Sequence, residues 1–223
     1  MTRMRNRSQT IWFAAAVLLF ATAPVLIAMA PNEATMGLVA KIFYFHVPAW
    51  FVMFAAVFVC GIASAVYLFT ERARADRLAV SAAELAVLFG LMGLTTGPLW
   101  GRVSWGVWWQ WDVRLTTALI LELTFIAYLL LRRYGGPGSE KLSAGLALFG
   151  MANVPFVYVS VNFWRTIHPE TTVVPTLEMP MAGPFWWCVA AYFALFLVML
   201  DGRRRLEEQR AAVDRLRLAY DDD

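Results

Sequence analysis

Six long apolar runs constrain this 223-residue chain more than anything else in it. A hydrocarbon core of ~30 Å is crossed by about 20 helical residues. The runs Ile11–Ala30, Val47–Phe69, Ala79–Pro98, Leu115–Leu131, Leu142–Phe163 and Pro184–Leu200 are of that order. The short fourth run and the prolines and glycines in others are compatible with spans, because neighbouring helices satisfy disturbed backbone groups. The expected fold is an all-α integral membrane protein with six transmembrane helices. Composition agrees, with 60% hydrophobic and 16% charged residues against roughly 25% charged in soluble domains. A net charge of +3 would point to nucleic acid only if the basic residues lay elsewhere than in short loops beside spans.

Their distribution sets the orientation. Arg3, Arg5, Arg7, Arg72, Arg74, Arg77, Arg132, Arg133, Lys141 and six arginines between Arg203 and Arg217 fall on one side, whereas Lys41, Arg102, Arg114 and Arg165 fall on the other. The positive-inside rule then makes both termini cytoplasmic and puts the loop between spans three and four on the outer face, which in a bacterial inner membrane is the periplasmic side. The first run resembles a signal peptide ending Ala28-Met29-Ala30, but it exceeds the roughly 7–15 residues of a secretory core and is read as a span. The chain divides into a six-helix membrane domain, 1–201, with a tryptophan-rich segment at 100–117, and a charged cytoplasmic helix or tail, 202–223. That tail reads as a charged helix extending the last span, solvated or anchored at the membrane surface, with partner binding as its alternative.

Five of the ten tryptophans fall between Trp100 and Trp111, in W-G-R-V-S-W-G-V-W-W-Q-W-D. An indole is a large flat apolar surface with one donor, suited to a flat apolar partner. The opposing account is the aromatic belt of membrane interfaces, which Trp12, Trp50, Trp164, Trp186 and Trp187 fit one by one. A belt spreads over all helix ends, so five in one loop read as a binding platform. If that run is helical, Trp105, Trp108, Trp109 and Asp112 share one face and Trp111 points elsewhere. Asp112 then caps the fourth span, bonds an indole or histidine, or pairs with Arg114.

The two histidines, His46 and His168, both fall on this outer face. A single histidine is ordinarily a satisfied hydrogen-bonding residue. A pair beside a tryptophan platform has the pattern of axial ligands clamping a planar macrocycle, because imidazole is a standard ligand of haem iron. The tryptophans supply apolar walls for a porphyrin, and Lys41, Arg102, Arg114 and Arg165 are candidate partners for its propionates. Glu122 and Glu84 are the intramembrane carboxylates. Glu122 lies about two turns into the fourth span, where it is placed to support the site, and Glu84 is free to snorkel. Cys60 and Cys188 sit in apolar runs without a C-x-x-C or C-x-x-C-H, so they are read as structural. No P-loop occurs, so ATP hydrolysis by that motif is excluded.

W-G-V-W-W-Q-W-D-V-R-L-T-T at Trp105–Thr117 resembles the signature of the WWD-domain family of haem-handling proteins in cytochrome c maturation. Y-F-H-V-P-A at Tyr44–Ala49, G-P-L-W-G at Gly97–Gly101 and N-V-P-F-V-Y-V-S-V-N-F-W-R-T-I-H at Asn153–His168 are similar to stretches of its haem exporter protein C branch, the cytochrome c maturation C subunits. The likeness covers nearly all the chain except its tail. It implies a haem-binding and transfer subunit without catalysis of its own. His46 and His168 would be axial ligands to a transient, non-covalent haem b, and Trp100, Trp105, Trp108, Trp109, Trp111 and Asp112 its shelf. The implied partners are a periplasmic haem chaperone, an ATP-binding-cassette ATPase, a second membrane subunit and a small single-span subunit. The competing readings are a membrane b-type cytochrome, which ordinarily buries its paired histidines mid-span, and a structural permease subunit of an ABC-type complex.

Overall fold

A computed structural model describes residues 2–221, with backbone alone for residues 2–8, 218 and 221. The side chains of Arg3, Arg5 and Arg7, and all of Asp222 and Asp223, lie outside the described residues. The described chain forms six helices: α1 Thr2–Met29, α2 Phe43–Thr70, α3 Ala73–Trp105, α4 Val113–Tyr134, α5 Ser139–Phe163 and α6 Met179–Asp221. A short 3-10 helix, Leu38–Ile42, leads into α2. All six are long and apolar enough to cross a membrane. Their packing makes α2 central, against α3, α5 and α6, with α4 along α5 and α1 along α6.

Local chemistry sets the ends. α2 stops at Glu71, whose left-handed φ of 50° turns the chain and whose N–H returns to the Tyr67 carbonyl. α3 stops at Gly106, at φ 77°. α4 begins at Asp112, whose carboxylate accepts the Leu115 N–H at 2.8 Å, satisfying a donor that the first turn leaves free. The main core is built from small and aromatic side chains, with Met53, Val57, Ala82, Phe89, Leu121 and Phe125 fully buried. Cys60 is a free thiol in this core, and Cys188 a free thiol in a second buried cluster with Tyr44 and Phe185.

The end of α3 differs from the sequence expectation. The third helix continues seven residues beyond Pro98, so Trp100 and Trp105 are helical. A proline inside a span is tolerable where neighbouring helices enclose it. The sixth helix agrees with its expectation: it runs through Gly202 without a break, so the charged segment from 202 is the same rod as the last span. At 43 residues that rod is about 65 Å long at ~1.5 Å per residue.

At the end carrying the α2–α3 and α4–α5 turns, charges are paired. Arg132 meets Asp76 at 2.6 Å, Lys141 meets Glu71 at 2.7 Å, and Asp201 gathers Gln9, Arg204 and Arg205. Glu84 does not snorkel free but is bound by the Arg203 guanidinium of α6.

Candidate functional site

The opposite end holds the two histidines. His46 is in the first turn of α2, where α3 offers a hollow: a Cβ on Gly93 would lie 2.4 Å from the Trp50 ring nitrogen, and one on Gly97 would lie 3.2 Å from Cε1 of His46. These glycines, one turn apart, let two aromatic rings of α2 lie against the α3 backbone. The His46 ring stands edge-on to Trp50 at 6.4 Å and to Trp100 at 6.1 Å between centroids. Its Nδ1 is 2.9 Å from Oγ1 of Thr96, and that hydroxyl is 2.7 Å from the Met92 carbonyl. A hydroxyl has one hydrogen. With that hydrogen donated to Met92, Thr96 accepts from Nδ1–H, which leaves Nε2 of His46 as the bare lone pair.

His168 reaches the same state by another route. Its Nδ1 is 2.8 Å from the carbonyl oxygen of Pro169, which only accepts, so Nδ1 carries the proton and Nε2 is again bare. Burial first, and then the Arg114 charge, push its pKa down to about 4, so the ring is neutral at physiological pH. Its loop is fastened by Asp112. One carboxylate oxygen caps α4, and the other accepts the Thr166 hydroxyl and the Ile167 N–H at 3.2 Å. Thr166 in turn accepts the His168 N–H at 3.0 Å.

Both histidines line one cavity together with Trp100, Trp105, Trp108 and Trp109. Trp50, Gly93 and Gly97 close it below, and Arg114 lies on its wall. It encloses about 630 Å³ of non-atom space, counting its open mouth. A second cavity, bounded by Phe43, Phe51, Phe54, Tyr158 and Val174, adjoins it. His46, Trp50, Trp100, Arg114 and His168 line both, and so form the partition between them. Arg114 also donates to the Val157 carbonyl of α5. The indole N–H of Trp109 is buried without a hydrogen-bond partner. Two bare imidazole nitrogens, one free indole donor and one guanidinium in an aromatic enclosure fit a flat apolar ligand that has a metal centre and an anionic edge.

The tryptophan run is not the helix its spacing allows. α3 ends at Trp105, and residues 106–112 are irregular, because Gly106 at positive φ terminates the helix. Trp105, Trp108 and Trp109 meet at the cavity nonetheless, one from a helix end and two from the loop. Trp111 does not line it: it is 75% exposed and sits edge-on to Trp109. Asp112 is the fastener described above and does not line the cavity either.

Among the four candidate cations Arg114 alone reaches the site. Lys41 bonds the Ala28 carbonyl at 3.2 Å and Arg102 the Gly106 carbonyl at 2.5 Å. Arg165 is exposed outside both cavities. Glu122 lies deeper, 1% exposed, with both oxygens unpartnered and packed against Gly90 of α3. Trp50, expected in the interfacial belt, is instead buried under the cavity. Sequence reasoning also passed over Thr96, Thr166, Gly93 and Gly97. The signal for the glycines was present, since Gly90, Gly93, Gly97 and Gly101 recur at the helical period.

The chain matches the family described as "Heme exporter protein C" over residues 1–218. A heme exporter protein C of Bradyrhizobium diazoefficiens is 35% identical over 215 residues, covering 93% of this chain and 81% of the relative. That of Escherichia coli K12 is 28% identical over 199 residues, covering 84% and 80%. A putative cytochrome c biosynthesis ccmC-like mitochondrial protein of Marchantia polymorpha is 29% identical over 187 residues, covering 82% and 78%.

Proposed function

This chain belongs to the haem exporter protein C family, and on that premise we propose that it holds haem at the periplasmic face and delivers it to a periplasmic haem chaperone for c-type cytochrome maturation. The observation that carries the reading is the pair of histidines on one tryptophan-lined cavity, each with its Nδ1 hydrogen committed and its Nε2 bare. His46 and His168 are the axial ligands of the iron. Trp100, Trp105, Trp108 and Trp109 pack against the porphyrin, and Arg114 with the free Trp109 N–H receives its anionic edge. The haem is cargo, non-covalently held, and supplies the metal centre and the flat apolar faces that the site grips.

These residues bind and orient, and they break no covalent bond. The ATPase, the second membrane subunit and the small single-span subunit of an exporter complex supply what this chain lacks. A site at the end of the bundle leaves a ligand edge open to a docking protein, whereas histidines buried mid-span would favour a retained electron-transfer haem. The test is haem content of the purified protein, followed by addition of apo-chaperone. Haem that leaves with the chaperone supports the reading. Haem retained and reversibly reduced makes the chain a cytochrome, and an unchanged haem spectrum with full cytochrome c maturation in the His46→Ala/His168→Ala double variant removes the ligand assignment.

A further inference from the structure

Between α1 and α2 the chain makes a tight loop that reaches the site from outside it. The Glu33 carboxylate accepts the Thr35 N–H at 2.9 Å, the Thr35 hydroxyl at 2.6 Å and the Met36 N–H at 2.6 Å. The Glu33 carbonyl accepts the Gly37 N–H at 2.9 Å, and Gly37 takes φ 60°, ψ −135°, backbone open to glycine. The hydrogen bond from Thr35 leads the effects that hold the Glu33 carboxyl below its ordinary range, so this anchor stays anionic throughout neutral pH. So fastened, the loop presents the Met36 side chain in one direction.

Its sulfur lies 3.1 Å from the Trp100 indole nitrogen and 3.2 Å from the Ser104 hydroxyl. Those donors are one turn apart on α3, so a single thioether receives both. Trp100 is the ring that stands edge-on to His46, lies 5.9 Å from Trp105 and lines both cavities. A leucine fills the volume of a methionine but accepts no hydrogen bond. The buried indole N–H would then lose its partner and the ring its fixed direction.

We propose that Met36 is a positioning residue: its sulfur, as a double acceptor, fixes the Trp100 indole that walls the ligand cavity and buttresses His46. The inference deepens the haem reading and rests on it for its functional consequence. The variants are Met36→Leu, which keeps volume and removes the acceptor, and Met36→Gln, whose side-chain carbonyl restores an acceptor for both donors.

In haem-free protein, the indole hydrogen-bond marker in ultraviolet resonance Raman spectra should shift in Met36→Leu and return in Met36→Gln. The shift should be absent when Trp100 is already Phe. In protein titrated with haem, Met36→Leu should bind roughly three- to tenfold more weakly, the equivalent of one lost net hydrogen bond, with Met36→Gln within about twofold of the parent on the same scale. An unshifted marker in Met36→Leu overturns the proposal, as does a shift without weaker binding, or a Gln variant no better than Leu. Failure of the haem reading shows separately, as unaltered haem binding in the double histidine variant while the Raman shift persists.

Discussion

The two ends of this bundle are built by opposite rules. At one, Asp76, Glu71, Glu84 and Asp201 each face a guanidinium or ammonium, and long charged side chains tie neighbouring helices together. At the other, hydrogen bonds are spent on direction: Thr96, Pro169 and Asp112 fix rings and loops, while imidazole lone pairs and an indole donor are left without partners. Buried polar groups without partners are costly; the charged end keeps some as well, on the guanidiniums of Arg77, Arg132 and Arg205, but at the histidine end the unpartnered Trp109 donor belongs to a residue that lines the cavity shared by both imidazoles. On the proposed function, paired charges hold the bundle and the cavity's open donors and acceptors receive the ligand.

If that division is correct, substitutions at the histidine end change binding more than stability, and those at the charged end do the reverse. The largest effect is expected from Thr96→Val, which keeps the shape and strips His46 of its Nδ1 acceptor. Haem affinity should fall roughly 10–100-fold, the range for partners that orient metal-binding histidines, as read by spectroscopic titration. Asp112→Ala should follow, weakening haem binding about tenfold through the freed His168 loop and costing roughly 0.5–2 kcal/mol of stability as the α4 cap is lost. Thermal unfolding in detergent checks the second figure.

Acidity separates the ends as well. His168 is held neutral down to about pH 4, whereas an unfolded or exposed imidazole takes up its proton near pH 6.5. The unfolded loop therefore binds more protons as pH falls through that window, so loop stability declines from about 6.5 to about 4. Haem binding, which needs the neutral ring, should stay nearly flat to about pH 5 and lose about twofold at pH 4. A midpoint near 6.5 would show that the ring is not enclosed. The smallest effect on binding should come from the far end. Arg132→Ala should cost roughly 1–3 kcal/mol, between the ranges for exposed and buried pairs, and leave haem affinity within about twofold. A large loss of binding there would break the division of labour.

Much of the fold was legible because apolar run length speaks directly about helices in lipid. The six spans and the absence of charge inside most of them needed no tertiary information. What stayed hidden depended on depth and on fine geometry. Trp50 looks like any belt tryptophan until Gly93, on another helix, is seen to make room beneath the cavity. Lys41 and Arg165 lie five and three residues from a histidine in sequence, yet Lys41 bonds the Ala28 carbonyl and Arg165 is exposed outside both cavities. The tryptophan spacing fitted a helical face, and one glycine at positive φ ended that helix first. Asp112 was open to three roles, and the capping role is the one the structure shows, extended by its hold on Thr166 and Ile167.

The two imidazoles are mounted differently, and the difference matters for letting go. His46 sits on a helix wedged against the glycines of its neighbour, with its ring bonded to a side chain of that neighbour. His168 sits on a loop, bonded to the carbonyl of the next residue and moored through a single carboxylate. Anything gripped between them has one jaw set in the frame of the molecule and one carried on a strap. On the proposed function such a vice would open at the strap, so a protein that takes the cargo would need only to loosen Asp112 from Thr166 and Ile167 and could leave the bundle itself undisturbed.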